Sequence, residues 1–401
     1  MLLYLHIPFC RSKCDYCSFF SIPNPAAADL DAYLGALEAE IALWGTRLDQ
    51  TGVQRPISSV YIGGGTPSLL SLAQLERVTT ALSRSFRLAP SLEWSMEANP
   101  DSAADLEFLR GLLTLGVNRL SLGLQSLDNA MLEVLGRRHQ AAQGVRVVDM
   151  ARKAGFGNIS VDLIWGLPGQ RALEWLRELE TVVKLEPQHI SCYGLTLEEQ
   201  TPLAQHEAAG RVLLPPESEQ AKMFLHGAEL LEASGYLQYE ISNFSRMGFI
   251  CRHNQGYWQS QGYLGLGAGA VSTLGGMRWE NPKNLQVYAE QVHQGSIGGS
   301  STALSPADKA KELVMLSLRT TQGLDLQAYQ RLTGQNFLGQ HHSLVQVLRQ
   351  NDLIRVHSGL LRLTRSGMLV SNTILERFLQ EIPDNLPNNE KHPPIPTASK
   401  P

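Results

Sequence analysis

The chain has 401 residues, 43% hydrophobic and 18% charged, with a formal net charge of −4; this is a globular composition, long enough for two or three domains. The mild negative balance, with no long basic run, argues against nucleic acid or an anionic membrane surface as a partner. No uncharged apolar run reaches the roughly 18 residues of a membrane helix, the apolar start Met1–Phe9 lacks both basic residues and a small-residue cleavage site, and five cysteines, three of them within eight positions, fit the reducing cytoplasm.

In chain order, Leu3–Phe9 alternates as a strand, with Tyr4, His6 and Pro8 on one face. It runs into Cys10-Arg-Ser-Lys-Cys14-Asp-Tyr-Cys17. Three thiolates at this spacing suit three irons of a [4Fe–4S] cube and leave the fourth iron open to a small ligand. A structural zinc site would need a fourth ligand, and nothing after Cys17 repeats a metal half-site at zinc spacing. A helical stripe spans about 29–44. Strand-like runs then recur at Ser59–Gly63, Glu93–Asn99, Arg119–Gln125, Ile159–Gly166 and His189–Leu195, with helical segments between them. With the first strand these make six βα units, which a doubly wound sheet or an incomplete barrel would both satisfy. In either architecture ligands gather at the C-terminal strand ends.

Beyond Pro215-Pro216 the pattern predicts a helix over 217–234 and a glycine- and aromatic-rich segment over 235–279. Helices follow over 306–320, 324–332 and 343–351, then a short β pair, Leu353–His357 and Leu360–Thr364, and a last helix over 366–379. Helices closed by a hairpin read as winged-helix-like. Its would-be recognition helix carries only Arg349 as a cation over 343–350, which favours a cover or docking role over DNA binding. Six prolines among the last 19 residues predict a disordered tail. The expected division is 1–215 barrel, 216–300 barrel extension, 301–382 C-terminal α+β domain and 383–401 tail.

Chemistry-bearing residues cluster at the strand ends. Tyr61-Ile-Gly-Gly-Gly-Thr-Pro-Ser68 offers backbone amides with no side chain in the way, although a tight βα turn would use the same glycines. Glu97, Gln125, Asp162 and Thr196 are isolated polar groups at later strand ends. An acid inside the strand at Ile159–Ile164 needs a partner, because burying a bare carboxylate is costly. Farther on, Cys251-Arg-His-Asn-Gln-Gly-Tyr-Trp258 combines heme-ligand types with aromatic faces. A strand here would put Cys251 and His253 on one side. An aromatic cover over the barrel mouth is the other reading. Cys192, in an apolar strand, reads as a small core residue.

The triple-cysteine stretch with its flank Tyr4-Leu-His-Ile-Pro-Phe resembles the signature of radical S-adenosylmethionine (SAM) enzymes, and within them the branch of coproporphyrinogen dehydrogenase and the HemW heme chaperones. The resemblance spans roughly residues 1–380. It implies a partial (β/α)6 radical SAM barrel with a C-terminal α+β winged-helix-like domain, a [4Fe–4S] cluster on Cys10, Cys14 and Cys17, and SAM. It carries SAM contacts onto Gly64, Gly65, Thr66, Glu97, Gln125, Arg137 and Asp162, and packing near the cofactor onto Tyr4 and Tyr16; Thr196 joins them by its strand-end position. The order His-Asn-x-x-Tyr-Trp resembles a motif associated with heme, which makes Cys251, His253, Tyr257 and Trp258 candidate heme contacts, with His253 the leading axial ligand. Coproporphyrinogen dehydrogenase has a fourth cysteine two residues after the third and a long N-terminal extension. Here Phe19 stands at that position and the cysteines begin at residue 10. Both departures point to the chaperone side: heme bound and delivered to an acceptor that the sequence does not identify, with a cellular reductant serving the cluster. The competing expectation is oxygen-independent conversion of coproporphyrinogen III to protoporphyrinogen IX by radical decarboxylation.

Overall fold

The computed structural model describes residues 1–50, 56–298 and 300–386. Six parallel strands lie side by side in chain order: β1 (Leu2–Ile7), β2 (Ile57–Gly64), β3 (Leu88–Ala98), β4 (Arg119–Gln125), β5 (Ile159–Trp165) and β6 (His189–Gly194). Helices after the first five cover the outer face, whereas the helix directly after β6, Pro202–Ala208, buries Leu203 beside Tyr16 and Leu135. Residues alternate along the strands with period two. Leu3, Leu5, Val60, Ile62, Trp94, Met96, Leu120, Leu122, Val161, Leu163 and Ile190 form the buried layer under the helices. The inward positions are polar, among them Ser59, Tyr61, Glu93, Glu97, Ser121, Ser160, Asp162, His189 and Ser191, and they bond across the interior.

The sheet is extended at both edges. Beside β1 lies another parallel strand, Tyr263–Leu266, followed by antiparallel Val271–Leu274, Met277–Glu280 and Thr302–Ala303; beside β6 lie Asn243–Ser245 and Leu237–Gln238. The glycine-rich segment therefore carries strands that its composition did not predict. Gly265 has to be glycine, since a Cβ there would fall 2.1 Å from the Val271 carbonyl oxygen.

A second hydrophobic core, Ala307 to Leu386, belongs to the C-terminal domain. Its hairpin, Ile354–His357 with Leu360–Leu363, pairs a third short strand, Leu324–Asp325. Two expected helices change accordingly. The one predicted over 324–332 begins at Leu326, because the Asp325 side chain accepts from the backbone N–H groups of Gln327 and Ala328 and so caps it. The last is two helices, Arg365–Leu369 and Ser371–Gln380, broken at Val370 (φ −106°, ψ 22°), so that Met368 and Ser371 are both buried. Of the tail expected over 383–401, Pro383–Leu386 is described, and Leu386 is buried in the second core; the rest lies outside the described residues.

The largest correction is local. Cys251–Trp258 is not a strand: Cys251 is the N-cap of a helix, Arg252–Trp258. What caps it is Glu93, whose carboxylate accepts from the backbone N–H of Arg252 (3.1 Å) and of His253 (3.1 Å) and lies 3.7 Å from the Cys251 sulfur. Glu93 and its register partner Ser59 sit near the N-terminal ends of the barrel strands. The helix therefore plugs the barrel at the end opposite the glycines and cysteines. Gly256 makes the close fit, since a Cβ there would meet the Leu2 side chain at 2.5 Å.

Candidate functional site

At the C-terminal strand ends, Cys10 lies in a two-residue strand paired with Ile22–Pro23, and the loop between is cinched by Ile22 N–H to the Pro8 carbonyl (2.6 Å) and Asn24 N–H to the Cys10 carbonyl (2.9 Å). Inside the loop, Cys17 N–H donates to the Cys14 carbonyl. Asp15 fastens it outward: its N–H donates to the Leu135 carbonyl and its carbonyl accepts from Leu203 N–H. All three thiols are free and only partly buried. Among the described residues no group of three His, Cys, Asp or Glu side chains closes on a single ion. A cubane asks for something different, three thiolates on three separate irons.

A hydrogen-bonded arc joins two of these cysteines. The Thr66 hydroxyl donates to the Cys10 sulfur (3.5 Å), Asn99 Nδ2 donates to Thr66 Oγ1 (3.1 Å), Arg137 donates to Asn99 Oδ1 (2.9 Å) and to the Gly123 carbonyl (2.6 Å), and Arg137 Nη1 reaches the Cys14 sulfur (3.6 Å). Asn99 was overlooked in the sequence, although it stands in the same Glu-Ala-Asn-Pro strand end as Glu97. Tyr16 packs half-buried on Leu135, Ile164, Leu167 and Leu203, beside Arg137.

The glycines have reasons of their own. A Cβ on Gly63 would press on the Glu97 carboxyl at 3.0 Å, one on Gly64 (φ 117°) on the His6 ring at 2.8 Å, and one on Gly65 on the Phe9 carbonyl at 2.6 Å and the Cys10 sulfur at 2.9 Å. The strand end is therefore glycine because protein groups crowd it, and it does not by itself announce a ligand. Gln125 follows a register irregularity between Gly123 and Gln125 and takes a left-handed backbone, φ 63°, which turns its side chain back toward Gly123.

Two recessed carboxylates face this end. Glu97 accepts from the Tyr61 hydroxyl (2.9 Å) and Gly64 N–H (3.2 Å), yet burial, with Asp162 nearby, raises its pKa to about 7. Asp162 has the partners its setting demanded: the hydroxyls of Ser191 (2.6 Å), Ser121 (2.9 Å) and Ser160 (3.3 Å). Burial raises its pKa as well. This pair suits a ligand that brings positive charge and hydroxyl groups. Tyr4 donates to or accepts from His6 Nδ1 (3.0 Å) and stacks near Tyr61. Thr196 stands apart, exposed beyond the end of β6.

The titration of Glu97 has a measurable consequence. A carboxyl whose folded pKa exceeds its unfolded one stabilises the fold while protonated, so this contribution falls as pH rises from the unfolded value of about 4.3 to about 7. Denaturant unfolding of cofactor-free Glu97→Gln should lose less stability than wild type between pH 5 and 8, by on the order of 1–3 kcal/mol. Equal pH slopes would show that Glu97 ionises freely.

At the plugged end, His253 is 2% exposed and Cys251 3%. His253 Nδ1 bonds the Ser59 hydroxyl (3.0 Å), while Nε2 is buried with no hydrogen-bond partner. Burial, then Arg119, lowers its pKa to about 3, so the ring is neutral. Burial raises the Cys251 thiol to about 11, which keeps it protonated and makes it a poor iron ligand at neutral pH. Tyr257 stands edge-on to His253, with ring centroids 4.8 Å apart. On the outer side Trp258, Gln255 and Gln259 line a cleft of about 300 Å³ with Met247, Leu237 and Gln322.

Comparison with known proteins decides the family. The pattern described as "Radical SAM superfamily" matches residues 4–181, and "HemN C-terminal domain" matches 304–370. The heme chaperone HemW of Bacillus subtilis is 34% identical over 384 residues, covering 94% of this chain and 99% of that protein. The chain belongs to the HemW family of radical SAM proteins. HemW of Synechocystis is 37% identical over 329 residues, covering 80% of this chain and 78% of its own. Among solved structures, the coproporphyrinogen III oxidase HemN of Escherichia coli matches with a TM-score of 0.78 at 26% identity, over 94% of this chain and 89% of that one. SAM and a [4Fe–4S] cluster are the cofactors of the superfamily to which HemW proteins belong. No helix among the described residues is long and apolar enough to cross a membrane.

Proposed function

We propose that this protein binds one heme at the plug helix and hands it to an acceptor protein, with a [4Fe–4S] cluster on Cys10, Cys14 and Cys17 and SAM at the opposite end of the barrel. The observation that carries the heme reading is the His253 imidazole, neutral and buried, with Nε2 unpartnered on a helix whose outer face lines a cleft. Neutral imidazole is a good ligand for heme iron, and Trp258 offers a ring face. The cleft is at the small end for ligand sites, so an edge of the porphyrin enters it, and ligation by His253 requires the helix to turn outward. That turn gives the orphan nitrogen a partner.

At the other end, Cys10, Cys14 and Cys17 hold the cluster while Arg137 and Thr66 set the charge and hydrogen bonding around their sulfurs. Gly64, Gly65, Thr66, Glu97, Gln125, Arg137 and Asp162 surround SAM, with Tyr4 and Tyr16 excluding water; we leave Thr196 outside the set. The cluster with SAM supplies one-electron chemistry when reduced, and we assign that electron to a cellular reductant. Five free cysteines with no disulfide support a cytoplasmic setting.

Heme titration followed by the Soret band tests this reading. Wild type should take up one heme per chain, Trp258→Ala should weaken binding about tenfold or more, His253→Ala should shift the band, and Cys251→Ser should do neither. Unchanged affinity and spectrum in both His253→Ala and Trp258→Ala would place heme elsewhere.

A further inference from the structure

The two ends of the barrel are connected through its interior. From Asp162 a line of buried groups runs to the plug helix: Ser160 Oγ donates to Asp162 Oδ1 (3.3 Å) and bonds His189 Nδ1 (2.8 Å), His189 Nε2 bonds the Tyr239 hydroxyl (2.9 Å), and Tyr239 accepts from Asn254 Nδ2 (3.1 Å). Ser160, His189 and Tyr239 are at most 8% exposed. A second line starts at Glu97, which holds the Tyr61 hydroxyl, and the Tyr61 ring lies against His253 with centroids 5.2 Å apart. Two consecutive residues of one helix, His253 and Asn254, thus end two lines that begin at two carboxylates at the far end.

We propose that the plug helix reads the occupancy of the cofactor end: binding of a cationic ligand, SAM, beside Glu97 and Asp162 changes how firmly Asn254 and His253 are held, and with it the affinity for heme at this helix. The proposal rests on the heme reading above and names its regulation.

The chemistry of the first line gives it a direction. With Asp162 ionised, each hydrogen points toward the carboxylate: Asn254 N–H to Tyr239 oxygen, Tyr239 O–H to His189 Nε2, His189 Nδ1–H to Ser160 oxygen, Ser160 O–H to Asp162. Each bond polarises the next. Burial keeps His189 neutral, so the imidazole has one donor and one acceptor, as the line requires. Were Asp162 to donate a proton instead, Ser160, His189 and Tyr239 would all reverse, and the Tyr239 O–H would face the Asn254 amide N–H₂. Two donors would then oppose each other. A hydroxyl or an imidazole can turn either way at one position, but the amide nitrogen only donates, so Asn254 is the group that registers the polarity. A cation at the carboxylates favours the ionised form and the orientation that holds Asn254 in place. Its loss leaves the amide only its longer bond, to Glu240 Oε1 at 3.5 Å.

The test uses anaerobically reconstituted, cluster-loaded protein. Heme affinity is measured with and without SAM, and SAM affinity with and without heme, for wild type and Ser160→Ala, which removes one hydroxyl from the middle of the line while Ser121 and Ser191 still hold Asp162. Wild type should show a factor of about five or more, equal in both directions because linkage is reciprocal. Ser160→Ala should keep its cluster and bind each ligand, with the factor reduced to within about twofold of unity. Hydrogen exchange at the amides of 252–258 supplies a reading that does not involve heme: SAM should slow it in wild type and not in Ser160→Ala. If heme fails to bind at all, the chaperone reading falls, and the exchange result still decides the coupling. Should Ser160→Ala lose its cluster, Tyr239→Phe breaks the same line farther on, and the exchange measurement is repeated with it. A wild type whose plug-helix exchange ignores SAM, or a variant that retains the full factor, overturns the proposal.

Discussion

Replacing Cys10, Cys14 or Cys17 singly by alanine should abolish the iron–sulfur absorbance of the reconstituted protein, while Cys192→Ala leaves it intact. The three thiols share one cinched loop, so none can be replaced by a neighbouring donor: the remaining cysteines are Cys192 and Cys251, both buried, the first in β6 and the second under Glu93 at the opposite end of the barrel. A cube left with two thiolates has two open irons and is lost to chelation and oxidation. Arg137→Ala makes a useful companion, because it removes the cation beside Cys14 and leaves every sulfur in place. Full cluster occupancy in any one of the three alanine variants would sink the assignment.

Coproporphyrinogen III should not be turned over. Incubated anaerobically with SAM and reductant, the protein should release less than one protoporphyrinogen IX per chain, however well SAM binds. The fold alone does not separate the two activities, since the likeness to the E. coli oxidase covers 94% of the chain. The separation lies in local residues. Where the decarboxylating branch carries its fourth cysteine, this chain has Phe19, a side chain 67% exposed that can neither ligate iron nor relay a proton. Multiple turnovers would end the chaperone reading; slow SAM cleavage without product would not touch it.

Much of this was legible in the chain, and the failures have identifiable causes. The six barrel strands announce themselves because they alternate between a helix-facing apolar and an inward polar residue, as in Ser160-Val-Asp162, and all but the first reach glycine or a polar group at their end or one residue beyond it. The need of Asp162 for a partner was visible from its neighbours. That the partners are three serine hydroxyls was not, since Ser121 and Ser191 come from adjacent strands. The plug helix shows no period of its own in the sequence, because seven residues are too few to display one, and its capping group, Glu93, lies about 160 residues earlier. Val271–Leu274 and Met277–Glu280 are four residues each, too short to show alternation, and in the neighbouring Tyr263–Leu266 close backbone packing selects glycine at Gly265. Asn99 carried no pattern at all, and only the bonds to Thr66 and Arg137 reveal its place.

The pairing of Leu2–Leu5 with Tyr263–Leu266 has a consequence for biosynthesis. On the ribosome β1 emerges long before its outer neighbour, while its inner neighbour β2 and the cysteine loop are complete within the first 66 residues. Until residue 266 has been translated, one edge of β1 offers unpaired backbone groups to any passing strand. At about 5–20 residues per second that interval lasts on the order of ten seconds or more. A nascent barrel in this condition has its thiol loop in place but no plug, so metal loading at one end can precede closure at the other.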